Sequence, residues 1–107
     1  MAAVAANQKL AQLQAVLPLI ERTEEKRLAL AALGEIPTAE ALALVVPELS
    51  GKELKEEASI AAVAISEKIA LSHPAPVAAA MQQVLKVTTN KQLAKTAKTL
   101  LDQTAKR

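Results

Sequence analysis

The sequence predicts an all-α protein built as a short α-solenoid of about three helical hairpins. The chain has 24 alanines but only two glycines among its 107 residues, and Ala has the highest intrinsic helix propensity whereas Gly has among the lowest. Large aliphatic residues recur at helical spacing, and capping residues separate the helical segments. Similar segments return at intervals of roughly 30–40 residues, the spacing of helical repeats.

The first predicted hairpin covers residues 7–33 and begins with Asn7 as a helix N-cap, because its short polar side chain accepts hydrogen bonds from free N–H groups of the first turn. Pro18 removes one intrahelical hydrogen bond and predicts a bend or an early stop. The apolar face of this helix is expected to consist of Leu10, Leu13, Leu17 and Ile20.

The second helix of this hairpin is expected to be capped by Thr23, with Glu24 and Glu25 in its first turn, where the helix dipole favours negative charge. Gly34 follows its last leucine, and we expect it to adopt the left-handed conformation common after a helix. The helix is apolar on more than one side, so we expect neighbours on both flanks. The leucines concerned are Leu28, Leu30 and Leu33.

The second predicted hairpin covers residues 38–71, with Thr38 as the N-cap of its first helix. Ser50 and Glu53 have the spacing of a capping box and predict the start of the longest helix, which ends near Leu71. In the first helix, the expected core residues are Leu42, Val45, Val46 and Leu49. In the long helix, one core face comprises Leu54, Ala58, Ala61, Ile65 and Ile69, and a second comprises Ile60 and Val63.

The third predicted hairpin covers residues 74–105. Pro74 occupies a first-turn position, where its missing N–H group costs little. Thr88, Thr89 and Asn90 interrupt the helical pattern and cap the final helix. That helix is polar on most sides and resembles the terminal cap that keeps the open end of a stack soluble.

A common register relates three of the predicted helices. Leu33, Ile65 and Leu101 align at spacings of 32 and 36 residues. This periodicity and the matching positions of caps and prolines favour a solenoid over a plain six-helix bundle, which shares most of these features. The whole chain, residues 1–107, is expected to form a single domain.

Three segments resemble bacterial HEAT-type repeats, an armadillo-like family. They read KRLALAALGEIPTAEALALVVPEL, LKEEASIAAVAISEKIA and HPAPVAAAMQQVLKVTTNKQLAKTAKTLL, and the resemblance covers about residues 20–103. It implies a right-handed superhelix whose rigid surface holds other macromolecules without catalysis. Such bacterial segments also resemble modules embedded in larger multidomain proteins, including secreted carbohydrate-active ones.

Composition argues against several classes of function. Without Cys there is no thiol nucleophile or zinc knuckle, and without aromatic residues there is no platform for stacking bases or sugar rings. No apolar run reaches the roughly 20 residues that span a bilayer, and the first residues do not resemble a signal peptide. We therefore expect no membrane association, and a cytoplasmic location if the chain is complete.

The candidate catalytic groups are better explained as structural residues. His73 is the sole histidine and lies in a helix-entry sequence, Ser72-His73-Pro74. The carboxylate pairs Glu24/Glu25 and Glu56/Glu57 are adjacent in sequence, so their side chains point about 100° apart on a helix. We expect no catalytic residue, no metal site and no cofactor.

The charge distribution suggests two candidate interaction surfaces. Residues 21–57 carry nine glutamates against five basic residues, whereas the C-terminal end is basic although the net charge is only +2. Glutamates near the predicted hairpin connections, among them Glu24, Glu25, Glu56 and Glu57, suggest an acidic rim for a basic partner or for another copy. A basic stripe consists of Lys91, Lys95 and Lys98.

The expected function is protein–protein interaction or scaffolding by a non-enzymatic HEAT-like module with an unidentified protein partner. We expect a monomer or weak self-association. One alternative is a spacer or accessory module of a larger multidomain enzyme, including an exported one. Another is a nucleic-acid-binding solenoid that uses the lysine stripe, although few arginines and no aromatic residues argue against nucleic acid.

Overall fold

A computed structural model of the chain describes residues 10–13, 15, 19, 22–51 and 54–105, and all regular structure in these ranges is helical. The prediction of an all-α protein is confirmed. Residues 10–13 and 15 are helical, and five further α-helices follow. A short 3₁₀ helix, Val46–Ser50, directly follows the second of these five. The five are α1 (Thr23–Leu33), α2 (Ala39–Val45), α3 (Lys55–Ile69), α4 (Pro74–Val87) and α5 (Lys91–Ala105).

Each of these helices packs against its neighbours in sequence, and the alternate helices also pack against one another. Helices α1, α3 and α5 form one row, and α2 with its 3₁₀ extension forms a second row with α4. The Cα atoms extend over 37 × 34 × 17 Å. The short dimension matches a thickness of two helices, because packed helix axes lie about 8–10 Å apart.

The core is aliphatic and draws on both rows. Its largest fully buried side chains include Leu30 and Leu33 of α1, Leu42 of α2, Ile65 of α3 and Met81 of α4. Ala58, Ala61 and Ala62 of α3 are also buried, and their small side chains permit neighbouring helices to approach closely. The turn between α1 and α2 contributes Ile36, which is only 2% exposed.

Three predicted helix starts are confirmed, at Thr38, Pro74 and Asn90. The Thr38 side chain accepts a hydrogen bond from the Ala41 backbone N–H at 3.1 Å. The side chain of Asn90 accepts from the backbone N–H groups of Gln92 and Leu93, at 2.9 and 3.1 Å. Pro74 is the first residue of α4, as predicted.

Two predicted caps are wrong. Helix α1 begins at Thr23 itself, so that Arg22 occupies the N-cap position. Ser50 does not cap α3, because α3 starts at Lys55 with Leu54 as its N-cap. Instead, Ser50 belongs to the 3₁₀ helix, and its hydroxyl donates to the carbonyl of Pro47 at 2.9 Å. The 3₁₀ helix therefore includes the serine that was expected to cap the following helix.

The predicted left-handed conformation of Gly34 is wrong. Gly34 has φ −60° and ψ −18°, which are right-handed helical values accessible to any residue. A methyl group on Gly34 would lie 3.3 Å from Cα of Ala61 and 3.4 Å from its Cβ. Glycine therefore serves close packing of α1 against α3 rather than backbone conformation.

Two residues expected to be buried face solvent. Leu28 of α1 is 72% exposed and Ile60 of α3 is 54% exposed, while Val63, the partner of Ile60 in the predicted second face, is buried. The residues of the first predicted α3 core face are all buried, namely Leu54, Ala58, Ala61, Ile65 and Ile69.

Helix α3 ends at Ile69, before the predicted end at Leu71. It has the same length as α5, 15 residues.

Part of the first predicted hairpin lies outside the described residues. Leu10 is buried and Leu13 packs against the core, as the predicted apolar face requires. The predictions for Asn7, Leu17, Pro18 and Ile20, and that for Glu53 in the capping box, fall on residues that are not described.

Candidate interaction groove

An apolar groove lies between α1 and α3, in the row that also contains α5. It encloses about 300 Å³. Most of its lining is small or aliphatic, and its charged groups belong to Arg27, Glu35 and Glu57. The apolar lining residues are Ala31, Gly34, Ile60, Ala61 and Ala64.

Small residues create this groove. Gly34 lets the end of α1 approach Ala61 on α3, while Ala31 and Ala64 have short side chains that leave space beside the crossing. Ile60 is the one large aliphatic residue in the lining, and it remains more than half exposed. Leu28, exposed one helical turn before Ala31, extends the apolar surface along α1. Exposed apolar surface of this kind is typical of interaction sites.

An ion pair joins the two helices at this groove. The Nε atom of Arg27 lies 3.0 Å from Oε1 of Glu57, and the two side chains are 51% and 30% exposed. Exposed pairs of this kind contribute about 0.2–1 kcal/mol to stability. Arg27 precedes Gly34 in sequence, and its partner Glu57 likewise precedes Ala61, which Gly34 approaches. The helices α1 and α3 therefore run in the same direction.

The four predicted acidic residues have different surroundings. Glu24 and Glu25 are exposed in the first turn of α1. Glu57 pairs with Arg27, whereas Glu56 points to the loop between α4 and α5. The adjacent carboxylates of α3 thus contact different groups, as expected for neighbouring residues on a helix.

Glu56 holds the loop that precedes α5. Its Oε1 accepts a hydrogen bond from the Thr89 backbone N–H at 2.9 Å, and its Oε2 accepts from the Thr88 hydroxyl at 3.0 Å. The bond from the Thr89 backbone, together with the threonine hydroxyls and nearby Lys55, lowers the pKa of Glu56 below its ordinary value despite partial desolvation. Glu56 is therefore a structural residue that links α3 to the last hairpin.

The predicted basic stripe lies on α5. Lys91, Lys95 and Lys98 are all exposed, and they form no ion pair within the described part of the chain. The neighbouring hydroxyls of Thr96 and Thr99 donate to carbonyls of their own helix. The stripe thus presents only ammonium groups, with no apolar anchor between them.

His73 lies at the entry to α4, as the sequence predicts. It occupies the N-cap position and is exposed, and its Nδ1 lies 2.9 Å from the hydroxyl of Ser72. Within the described ranges, no three His, Cys, Asp or Glu side chains gather closely enough to hold a metal ion. His73 is not among the residues that line the groove.

A second groove, of about 380 Å³, lies between α2 and α4 in the other row. Its lining is also apolar and includes Pro47, Pro76 and Ala43. Unlike the first groove, its lining includes no charged residue and none of the most exposed large aliphatic residues, so it provides weaker features for recognising a partner.

The sequence did contain a signal for the α1–α3 groove. Under the register that aligns Leu33 with Ile65, Leu28 aligns with Ile60, at the same spacing of 32 residues. Both are large aliphatic residues, and both are exposed. The apolar periodicity predicts that both positions belong to the core, whereas both face solvent.

Among the described residues, none of the helices combines the length and apolarity needed to cross a membrane. Comparison of the chain with protein-family models, with curated proteins and with solved structures found no match.

Proposed function

We propose that this chain is a non-enzymatic HEAT-like helical-repeat module that binds another protein through the groove between α1 and α3. The observation that carries the proposal is the exposed aliphatic side chain of Ile60 in the lining of an apolar groove, with the exposed Leu28 one helical turn from the lining residue Ala31. Surface leucines and isoleucines that occur singly need no explanation, but Ile60 lines a concave surface floored by alanine and glycine, and Leu28 lies one helical turn from that lining.

The solenoid architecture is part of this proposal. It is supported by the packing of alternate helices, by the thickness of two helices and by the equivalence of Leu28 and Ile60 in the repeat register. The right-handed superhelix follows from the HEAT resemblance. In such a stack, successive repeats place equivalent side chains along one surface, where a partner contacts several repeats at once.

The test is site-specific photocrosslinking in the source cells with the full-length gene product. A benzophenone amino acid replaces Ile60 in one variant and Leu85 of α4 in a matched control, since both are exposed aliphatic residues. We expect a crosslinked protein that depends on position 60 and is identified by mass spectrometry. Equal yields at the two positions would argue against this surface, and a spacer module would give no specific partner at either.

A further inference from the structure

The rim of the α1–α3 groove is acidic although the chain as a whole has a net charge of +2. Glu35 lines the groove, and Glu24 and Glu67 lie within one helical turn of its lining residues Arg27 and Ala64. These three carboxylates form no ion pair among the described residues. Lys68 also lies within one helical turn of Ala64 and carries a positive charge. Arg27 lines the groove as well, but its guanidinium is already paired with Glu57.

A second copy of this chain does not match the groove. In a two-fold symmetric dimer the same patch would face itself, and the carboxylates of Glu24, Glu35 and Glu67 would be brought close to one another. The basic helix α5 of another copy would supply positive charge, but its exposed positions are polar apart from Ala105 at its end. Its large aliphatic residues are Leu93, Leu100 and Leu101; Leu100 is buried in the core, and the other two pack against it.

The groove also favours a helical ligand over an extended one. Its lining belongs to α1, α3 and the residues just after α1, and helix-interior backbone N–H and C=O groups are already hydrogen-bonded. An extended peptide would find few backbone partners there, and its own backbone groups would lose their hydrogen bonds to water. A helix satisfies its own backbone and presents aliphatic side chains at i and i+4 to a groove.

We infer that the α1–α3 groove binds a basic amphipathic helix of a partner protein, which inserts an aliphatic side chain beside Ile60 and places Lys or Arg against Glu24, Glu35 and Glu67. The aliphatic anchor covers the exposed surface of Leu28 and Ile60. The flanking cations complement the acidic rim and accelerate association. This inference rests on the proposed function and specifies the class of partner for the same site.

The probe is a phage-displayed library of helical peptides of about four turns, with randomised aliphatic, acidic and basic positions. Selection on the wild-type chain is followed by counter-selection on Ala31→Leu, which fills the groove from an exposed helical position. Ala43→Leu on α2 is the matched control, because Ala43 is also an exposed helical alanine but lines the other groove.

We expect enriched peptides to combine an aliphatic i, i+4 pair with flanking Lys or Arg. Binding to Ala31→Leu should weaken about tenfold, whereas binding to Ala43→Leu should not change. Glu35→Lys should weaken binding about threefold and reduce its salt dependence, while Glu40→Lys, at an exposed position on α2, should have little effect.

Other outcomes would overturn the inference. Enrichment of acidic peptides would refute the basic partner, and the absence of any peptide that Ala31→Leu rejects would refute the groove as a helix site. A concentration-dependent dimer that Ile60→Ser abolishes would assign the surface to a second copy. A partner crosslinked at position 60 that contains no basic helix would refute this inference while leaving the proposed function intact.

Discussion

Replacing Gly34 with Ala tests whether close packing of α1 against α3 selects this glycine. Because Gly34 has right-handed helical dihedral angles, Ala fits the backbone and should gain about 0.4–1 kcal/mol by restricting the unfolded chain. The added methyl group would meet Cα of Ala61 at 3.3 Å and the carbonyl oxygen of Ala31 at 3.4 Å. Excess atoms in a packed contact cost about 1–3 kcal/mol. We therefore expect a net destabilisation of about 1 kcal/mol.

Gly51→Ala is the matched control. Gly51 has φ −78° and ψ 133°, which suit any residue, and among the described residues an added methyl group would meet only the Glu48 carbonyl oxygen, at 3.4 Å. This variant should gain the same 0.4–1 kcal/mol without a steric cost. The difference between the two variants, about 1–3 kcal/mol, then isolates the contact with Ala61.

Urea and thermal unfolding followed by circular dichroism measure both variants. A change of 1 kcal/mol corresponds to about 4–8 °C in Tm for a domain near this size. We expect Gly34→Ala to melt below wild type and Gly51→Ala to melt at or above it. If Gly34→Ala is as stable as Gly51→Ala, the crossing of α1 and α3 does not require glycine, and the explanation given for the groove floor is wrong.

Three further predictions concern single polar groups. Ser66→Ala should stabilise the protein by about 1 kcal/mol in a urea titration, because the buried Ser66 hydroxyl has no hydrogen-bond partner in the described structure. Ser59→Ala is the control and should stabilise less, because the buried hydroxyl of Ser59 donates to the carbonyl of Lys55 at 2.6 Å. Glu56→Gln should destabilise by about 0.5–1 kcal/mol near neutral pH. The pKa of Glu56 is lowered from 4.5 by folding, so the unfolded state binds more protons and the wild-type advantage should shrink as pH falls below that value; parallel pH profiles of the two proteins would contradict this. Asn90→Ala should cost about 1 kcal/mol and speed hydrogen exchange at the start of α5, and unchanged exchange there would refute the capping role.

Features determined by adjacent residues could be predicted from the sequence. Thr38 and Asn90 cap helices whose first N–H groups lie two or three residues away, and Pro74 fits a first turn wherever that turn packs. The helical class follows from the same local preferences summed over many residues. In each case the deciding contact lies within a single helical turn.

Features determined by distant residues could not be predicted from the sequence. Gly34 was interpreted from its position at a helix end, but its environment is set by Ala61, which is far along the chain. Leu28 and Ile60 fit a buried pattern equally well, because periodicity identifies an apolar face without showing what covers it. Glu56 also looked like a simple first-turn carboxylate, since its partners Thr88 and Thr89 belong to another hairpin.

The bonds from Glu56 to Thr88 and Thr89 join residues that are 32 and 33 positions apart. Separation of the α4–α5 hairpin from α3 therefore requires these bonds to the Glu56 carboxylate to break. The hairpin formed by α4 and α5 should unfold cooperatively with α3 rather than independently of it.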